Sequence, residues 1–361
     1  MKSFCIPTPQ GGLRHIGPGQ PCFIIAEMSG NHHHDYDKAV EIIKAAKAAG
    51  ADAIKIQTYT PDTMTIDCDK PWFMVKGKDQ PELWQGQKLY DLYQTAYTPW
   101  EWDAKLQKVA EAEGLIFFST PFDPSAVDFL EPLNPPCYKI SSYEATDFTL
   151  LRRVAQTGKP VILSVGFAER DEVDFAIETL RKYGAKDIGI LHCVTAYSDK
   201  PEIDETNMLT MLDIRDRYDV VCGFSDNNAG IEIPTVAAMA GASIVEKHFM
   251  IERQEGGPDA RFSIEPSEFE KMVQSIRRAE RIMGKVNYGC QSDKERENTF
   301  FRRSLFVVED IKKGEKFTSR NVRSIRPSKG METKYYDEVI GQSAAEDIER
   351  GTPFVWELIQ K

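Results

Sequence analysis

Eight short apolar runs recur along this chain, and each closes on a polar residue suited to gripping an anion or handling a proton. They are CFIIAE ending at Glu27, DAIKIQ with Lys55, LIFFST ending at Thr120, CYKISS with Lys139 and Ser142, PVILS ending at Ser164, DIGILHC with His192, VVCGFSD with Ser225 and SIVEKHF with His248. Amphipathic segments separate them, such as YDKAVEIIKAAKAAG over 36–50 and PWEWDAKLQKVAEAEG over 99–114, whose apolar residues fall at helical spacing. Alternation of buried strands with helices predicts an α/β fold, and eight such units predict a (β/α)8 TIM barrel. In that fold the carboxyl ends of the strands converge on one mouth, so these polar ends are expected to face a single pocket. One Ser or Lys at a strand end is ordinarily a turn residue, whereas eight together point to an enzyme.

A barrel of about 250 residues leaves a remainder in a chain of 361, which sets the division into domains. The last barrel helix is read at 265–284, and the barrel is expected over 1–286. The polar stretch over 287–301 reads as a linker and 302–361 as a small β-rich module. Two similar phrases in that module, DIKKGEKFT and DIERGTPFV, each read as strand, charged turn, Gly and strand. The Gly- and Pro-rich N-terminus is expected to lay a short strand or hairpin across the bottom of the barrel. The connection over 59–98 is unusually long and carries Trp72, Phe73, Trp84 and several Tyr, which favours a packed lid. A net charge of −11 leaves no basic stripe for a phosphate backbone and argues against nucleic acid. The seven cysteines lack metal-type spacing and read as reduced core thiols. No apolar run approaches the length of a membrane span and no signal segment is evident, so a cytoplasmic protein is expected.

Lys55 and Lys139 carry the strongest local argument. An unpaired ammonium inside an apolar strand, as at Lys55, is costly, so both lysines are expected to bind an anionic ligand. The run His32-His33-His34 lies on a loop, from which adjacent imidazoles do not converge easily on one ion. His32 is therefore expected at the loop surface near a ligand pocket rather than on a metal. His192 is expected at or beside the mouth.

The phrases IIAEMSGNH, AGADAIKIQTYT, LIFFSTPFD, CYKISSYE, GKPVILSVG, VEKHFM, GGPDARFS and RRSLFVVEDIKKGE, with RSIRP, occur in an order that resembles the sialic acid synthase family, the nonulosonic acid synthases. Within it, AEMSGNH, KLYDLYQTAYTPWEW and KYYDEVIG resemble the pseudaminic branch. The resemblance implies a TIM barrel followed by an antifreeze-like (SAF) domain, a domain-swapped homodimer, and a condensation of phosphoenolpyruvate with an acetamido aldose that depends on Mn2+ or Mg2+. By the same resemblance Lys55, Lys139, Thr120, Ser142, Ser164, Thr195 and Ser225 hold phosphoenolpyruvate. Glu27 and Glu144 manage protons, and an ion pair with Lys55 or Lys139 is the structural alternative for either. Tyr197, Asp259 and Arg326 contact the sugar, Arg326 from the other subunit.

Departures from the family pattern are local. Where the family usually reads Ser-Asp-His-Thr this chain reads Ser225-Asp226-Asn227-Asn228, so one of two metal-binding imidazoles is replaced and His248 remains. An Asn carbonyl oxygen suits Mn2+ or Mg2+, and Asn227 with His248 is the expected metal pair. Loss of catalysis in a family-like binding protein is the alternative reading, and N-acetylneuraminate or legionaminate synthesis is the alternative within enzymes. SVG replaces the usual STG around Ser164, and Ser198 stands where a proline commonly follows the tyrosine.

Overall fold

All eight apolar runs form strands. The computed structural model describes residues 2–76, 84–201 and 203–361. A hairpin of β1 (Phe4–Pro7) and β2 (Leu13–Ile16) comes first. The barrel strands follow: β3 (Phe23–Glu27), β4 (Ala53–Thr58), β5 (Ile116–Pro121), β6 (Tyr138–Ile140), β7 (Val161–Ser164), β8 (Ile188–Val194), β9 (Val221–Asp226) and β10 (Ile244–His248). Each is parallel to the next, and β10 returns to β3 to close the barrel.

Side chains alternate across a strand, and this alternation sorts every barrel strand into an inner and an outer set. Phe23 and Ile25 of β3 point inward and pack with Ala53, Ile116, Phe118, Cys137, Ile162, Leu191, Val221 and Ile244 from the other strands. Phe4, Ile6 and Ile16 of the hairpin join this cluster, so the hairpin plugs the amino-terminal end of the barrel as expected. Ile24 and Ala26 point outward, where they pack with Ala39, Ile42, Ile43 and Ala46 of the helix Tyr36–Ala48. That helix begins on Asp35, whose carboxylate accepts from the amides of Asp37 and Lys38. Gly223 leaves no room in the wall, since a Cβ there would meet the Ile244 carbonyl and stand 2.6 Å from Leu191 Cδ2.

The connection over 59–98 contains the helices Pro61–Met64 and Leu89–Ala96 and a short 3₁₀ turn at Pro71–Phe73. Val75 and Gly86 close on each other through Val75 N–H to Gln87 O, at 2.8 Å, and Gly86 N–H to Val75 O, at 3.1 Å. Residues 77–83 of the expected lid lie outside the described residues. The final barrel helix, Pro266–Met283, starts with Pro at its first turn and a reciprocal Glu265–Glu268 cap, and it buries Phe269, Met272, Val273 and Ile276. Among the described residues no helix is long and apolar enough to cross a membrane.

The chain divides into two units, Met1–Gly284 and Lys285–Lys361. The second opens with a helix, Asp293–Asn298, and pairs β11 (Ser304–Val307) with β12 (Val322–Ile325) antiparallel. Its core holds Leu305, Val307, Ile311, Phe317, Val322, Val339, Phe354 and Leu358. The two similar phrases meet here: Ile311 bridges Ile348, and Phe317 stacks edge-on against Phe354 at 4.8 Å. Gly314 and Gly351 both take positive φ, 83° and 92°, which the charged turns require. The phrases form single bridges instead of the expected regular strands, because the chain turns again within a few residues.

Candidate active site

Above the apolar layer the inward positions turn polar, and the strand register brings them level. Lys55 lies opposite Glu27, and Glu27 opposite His248. Glu246 lies opposite Ser225, and Ser225 opposite Cys193. They line a cavity of about 450 Å³ at the carboxyl ends of the strands. Thr120, Lys139, Ser142, Glu144, Ser164, Tyr197, Asn227 and Asp259 share the wall, so most of the residues singled out in the sequence are brought together.

Four buried charges form the floor. Lys55 pairs with Glu27, donates to Thr120 Oγ1 at 2.9 Å and stands 3.8 Å from Glu246. Lys139 donates to Ser164 Oγ at 2.7 Å and to its neighbour's carbonyl, Ile140 O, at 3.0 Å, with Glu246 at 3.7 Å. Burial alone would lower the Lys55 ammonium, but Glu246 and Glu27 outweigh it and hold the pKa above the usual lysine value. Lys139, with fewer compensating contacts, is pushed below that value by burial. The structural alternative for Glu27, an ion pair with Lys55, is therefore present, and burial still pushes its carboxyl above the ordinary range.

A relay of polar side chains leads away from Glu27. Gln57 Nε2 donates to Glu27 Oε1 at 2.9 Å and to Ser29 Oγ at 3.1 Å. Ser29 Oγ donates in turn to Asp259, which also accepts from Gly30 N–H at 3.2 Å. Glu144 stands apart from this relay. It accepts from Ser141 Oγ, and burial pushes its carboxyl up to about 7, into the range of a general base or acid near neutrality.

His248 is buried, and burial, reinforced by Lys55, Lys247 and Lys139, holds its imidazole well below the usual histidine range. Its Nδ1 is buried without a hydrogen-bond partner among the described residues, and the ring packs on Phe262 at 5.0 Å. Asn227 donates through Nδ2 to Cys193 Sγ at 3.2 Å, which leaves its carbonyl oxygen for a ligand. Among the described residues no three His, Cys, Asp or Glu side chains sit together as a metal cluster. A neutral imidazole beside an amide oxygen fits a hard divalent ion whose shell is completed by water and substrate oxygens. Asp226 faces the other way, paired with Lys247 at 2.6 Å, both fully buried behind the barrel wall.

Some expectations are placed differently. Thr195 follows the end of β8 and lies beside Ser142 and Gly166, its Oγ1 3.5 Å from Cys193 Sγ, rather than on the cavity wall. His32 is not on the loop surface: it is buried, with Nε2 3.0 Å from Thr98 Oγ1 and Nδ1 accepting from His34 N–H. Burial holds it neutral, with a pKa lowered to about 4. His192 has the outward parity of β8, so it packs on Phe224 and donates to Thr206 O at 2.8 Å, away from the mouth. Arg326 belongs to the second unit, where it is exposed and its guanidinium lies 6.0 Å from the Phe301 ring.

Several wall residues escaped the sequence reading, Glu246, Gln57, Ser29, Cys193, Tyr143 and Phe122, whereas Tyr59, Trp84 and Tyr93 come from the connection expected as a lid. Glu246 had a signal. It is a carboxylate in an apolar strand, two residues before His248 and so on the same face.

Comparison with known proteins matches residues 42–288 to the NeuB family and 302–360 to the SAF domain. The chain is 41% identical to a pseudaminic acid synthase of Campylobacter jejuni over 91% of its own length and 94% of the relative's. It is 31% identical to an N,N'-diacetyllegionaminic acid synthase of Legionella pneumophila, over 97% and 98% of the two chains. Among solved structures, an N-acetylneuraminic acid synthetase from Leptospira borgpetersenii in complex with citrate superposes with a TM-score of 0.69 at 30% identity, covering 81% of this chain and 96% of that one. A barrel whose strand ends carry this ring of buried lysines, carboxylates and hydroxyls, followed by a SAF module, places the chain in the NeuB family, to which it belongs.

Proposed function

We propose that this protein condenses phosphoenolpyruvate with an acetamido aldose, releasing phosphate and a nine-carbon 2-keto-3-deoxy acid of the pseudaminic type. The observation that carries the reading is the buried pair Lys55 and Lys139, each already bonded to a hydroxyl at the mouth of a NeuB-family barrel. Higher identity to a pseudaminic than to a legionaminic acid synthase, 41% against 31%, supports the choice of acceptor.

Phosphoenolpyruvate carries a carboxylate and a phosphate, and both need cations and donors in a cavity shielded from water. In this reading Lys55, Lys139, Thr120, Ser142, Ser164 and Ser225 hold its oxygens, with Thr195 behind Ser142. Carbon 3 of phosphoenolpyruvate bonds to the aldehyde carbon, and the aldehyde oxygen takes a proton. Water then adds at carbon 2 and gives up a proton, and the tetrahedral product collapses to the ketone as its new hydroxyl passes a proton to the departing phosphate and the C–O bond breaks. Glu27, joined through Gln57 and Ser29 to Asp259, serves the proton at the sugar's reacting end. Glu144 takes the proton from water. Tyr197 and Asp259 bind the sugar. His248 and Asn227 hold a divalent ion, Mn2+ or Mg2+, and the chemistry it supplies when bound is polarisation of the aldehyde. A cytoplasmic, domain-swapped homodimer, in which Arg326 of the partner subunit contacts the sugar, is part of the same reading and rests on the resemblance.

The test is phosphate release from phosphoenolpyruvate across a panel of acetamido aldoses, with and without Mn2+. Release with an acetamido aldose of the pseudaminic series is expected. Binding of phosphoenolpyruvate without release for any acceptor and any divalent ion would overturn the reading.

A further inference from the structure

Part of the cavity wall comes from the described residues of the connection over 59–98, and among them one buried side-chain polar atom has no hydrogen-bond partner. Trp84 lines the cavity, and its Nε1 is buried without a hydrogen bond among the described residues. Its ring stands edge-on to Tyr197 with centroids 5.9 Å apart, and Tyr197 is itself fixed against Phe262 at 4.8 Å. The hydrogen bonds between Val75 and the turn at 86–87 keep Val75 beside this segment, and Val75, Leu89 and Leu92 supply apolar wall.

An indole N–H only donates, and a buried donor left unpaired is unfavourable enough that native proteins rarely keep one. Its partner is therefore an acceptor brought in by a ligand. Carboxylate and phosphate oxygens find their cations at Lys55 and Lys139, whereas the wall that the connection adds around Trp84 is mainly aromatic and aliphatic, with Lys76 its one cation among the described residues. A neutral carbonyl carrying a short alkyl group suits that wall: the oxygen meets the N–H, and the methyl meets Val75 and its apolar neighbours. We infer that Trp84 is a specificity-determining residue that recognises the N-acyl carbonyl of the acceptor sugar. The inference rests on the condensation proposed above and adds the residue that reads the acyl group.

Trp84→Phe keeps an aromatic ring and removes the donor. The variant should raise the acceptor KM about 10-fold, as expected for one lost buried hydrogen bond, while leaving the phosphoenolpyruvate KM and the melting temperature unchanged. A cycle on the ligand separates recognition from packing: each acetamido group of the acceptor is replaced in turn by hydroxyl. For one of them the loss in kcat/KM should be large in the wild type and about 10-fold smaller in Trp84→Phe. Trp84→Met, which also lacks a donor, serves if the phenylalanine variant melts early. Equal losses in wild type and variant, or a change confined to the phosphoenolpyruvate KM, would overturn the assignment while leaving the condensation intact. A wild-type protein that turns over no acetamido aldose would overturn both.

Discussion

Lys55 and Lys139 sit in the same pocket with different company, Lys55 between Glu27 and Glu246 and Lys139 beside Ser164 with Glu246 farther off. Replacing either by Ala removes a cation from an anion site, and phosphoenolpyruvate affinity should fall by about 2–4 kcal/mol in calorimetry. Unaltered affinity in both variants would place the anion elsewhere. Glu144 gives a prediction in pH. Its carboxyl is raised by burial from 4.5 to about 7, so the base form accumulates only above neutrality. As a base on water it should give kcat/KM a limb rising through pH 7, and Glu144→Gln should flatten that limb in its residual activity. The sign for stability is opposite. The fold favours the protonated carboxyl, so the stability of the wild type relative to Glu144→Gln is full below 4.5. It should decline by on the order of 2 kcal/mol as pH rises from 4.5 through 7. Urea midpoints of the two proteins at pH 4 and pH 8 check this.

At the level of elements, barrel strands have two faces with different tolerances. Gly223 on β9 abuts the Ile244 carbonyl and Leu191, so Gly223→Ala overfills the inner wall and should cost about 1–3 kcal/mol in urea unfolding. Behind the wall, Lys247→Ala leaves Asp226 buried without its ammonium and should cost about 3–5 kcal/mol. The strands are legible in the sequence because continuous apolar runs bounded by polar residues have few other uses, and Glu27, Lys55, Lys139 and Ser225 stand out against them. Glu246 and Gln57 follow from the alternation of side chains once His248 and Lys55 are taken as inward. Parity likewise turns His192 outward. The Ser29–Asp259 contact joins residues 230 apart in the chain, and the packing of Trp84 on Tyr197 joins two loops, so no local pattern announces either. His32 reads as a surface loop residue because nothing nearby in sequence shows that Thr98 and Trp102 bury it.

Across the whole molecule, the two units have separate cores, the barrel's clusters and the set from Leu305 to Leu358. Deleting 302–361 should therefore leave the barrel's circular dichroism and cooperative unfolding in place while abolishing phosphate release, since the proposed sugar contact of Arg326 goes with it. Chelation should likewise stop turnover, and Mn2+ or Mg2+ should restore it; full turnover of an exhaustively chelated protein would remove His248 and Asn227 from any metal role. The floor of paired charges bears on the same point from electrostatics. Glu27 and Glu246 offset part of the positive charge that Lys55 and Lys139 offer an anion, and of the other charged groups on the wall Glu144 and Asp259 are acidic and Lys76 basic. A highly charged anion held by lysines in such company is only partly compensated by the protein, and a divalent cation travelling with it supplies the rest. Phosphoenolpyruvate affinity should then climb with divalent cation at constant ionic strength, even for a cation such as Ca2+ that supports no turnover, making the ion a co-passenger of the substrate before it is a catalyst.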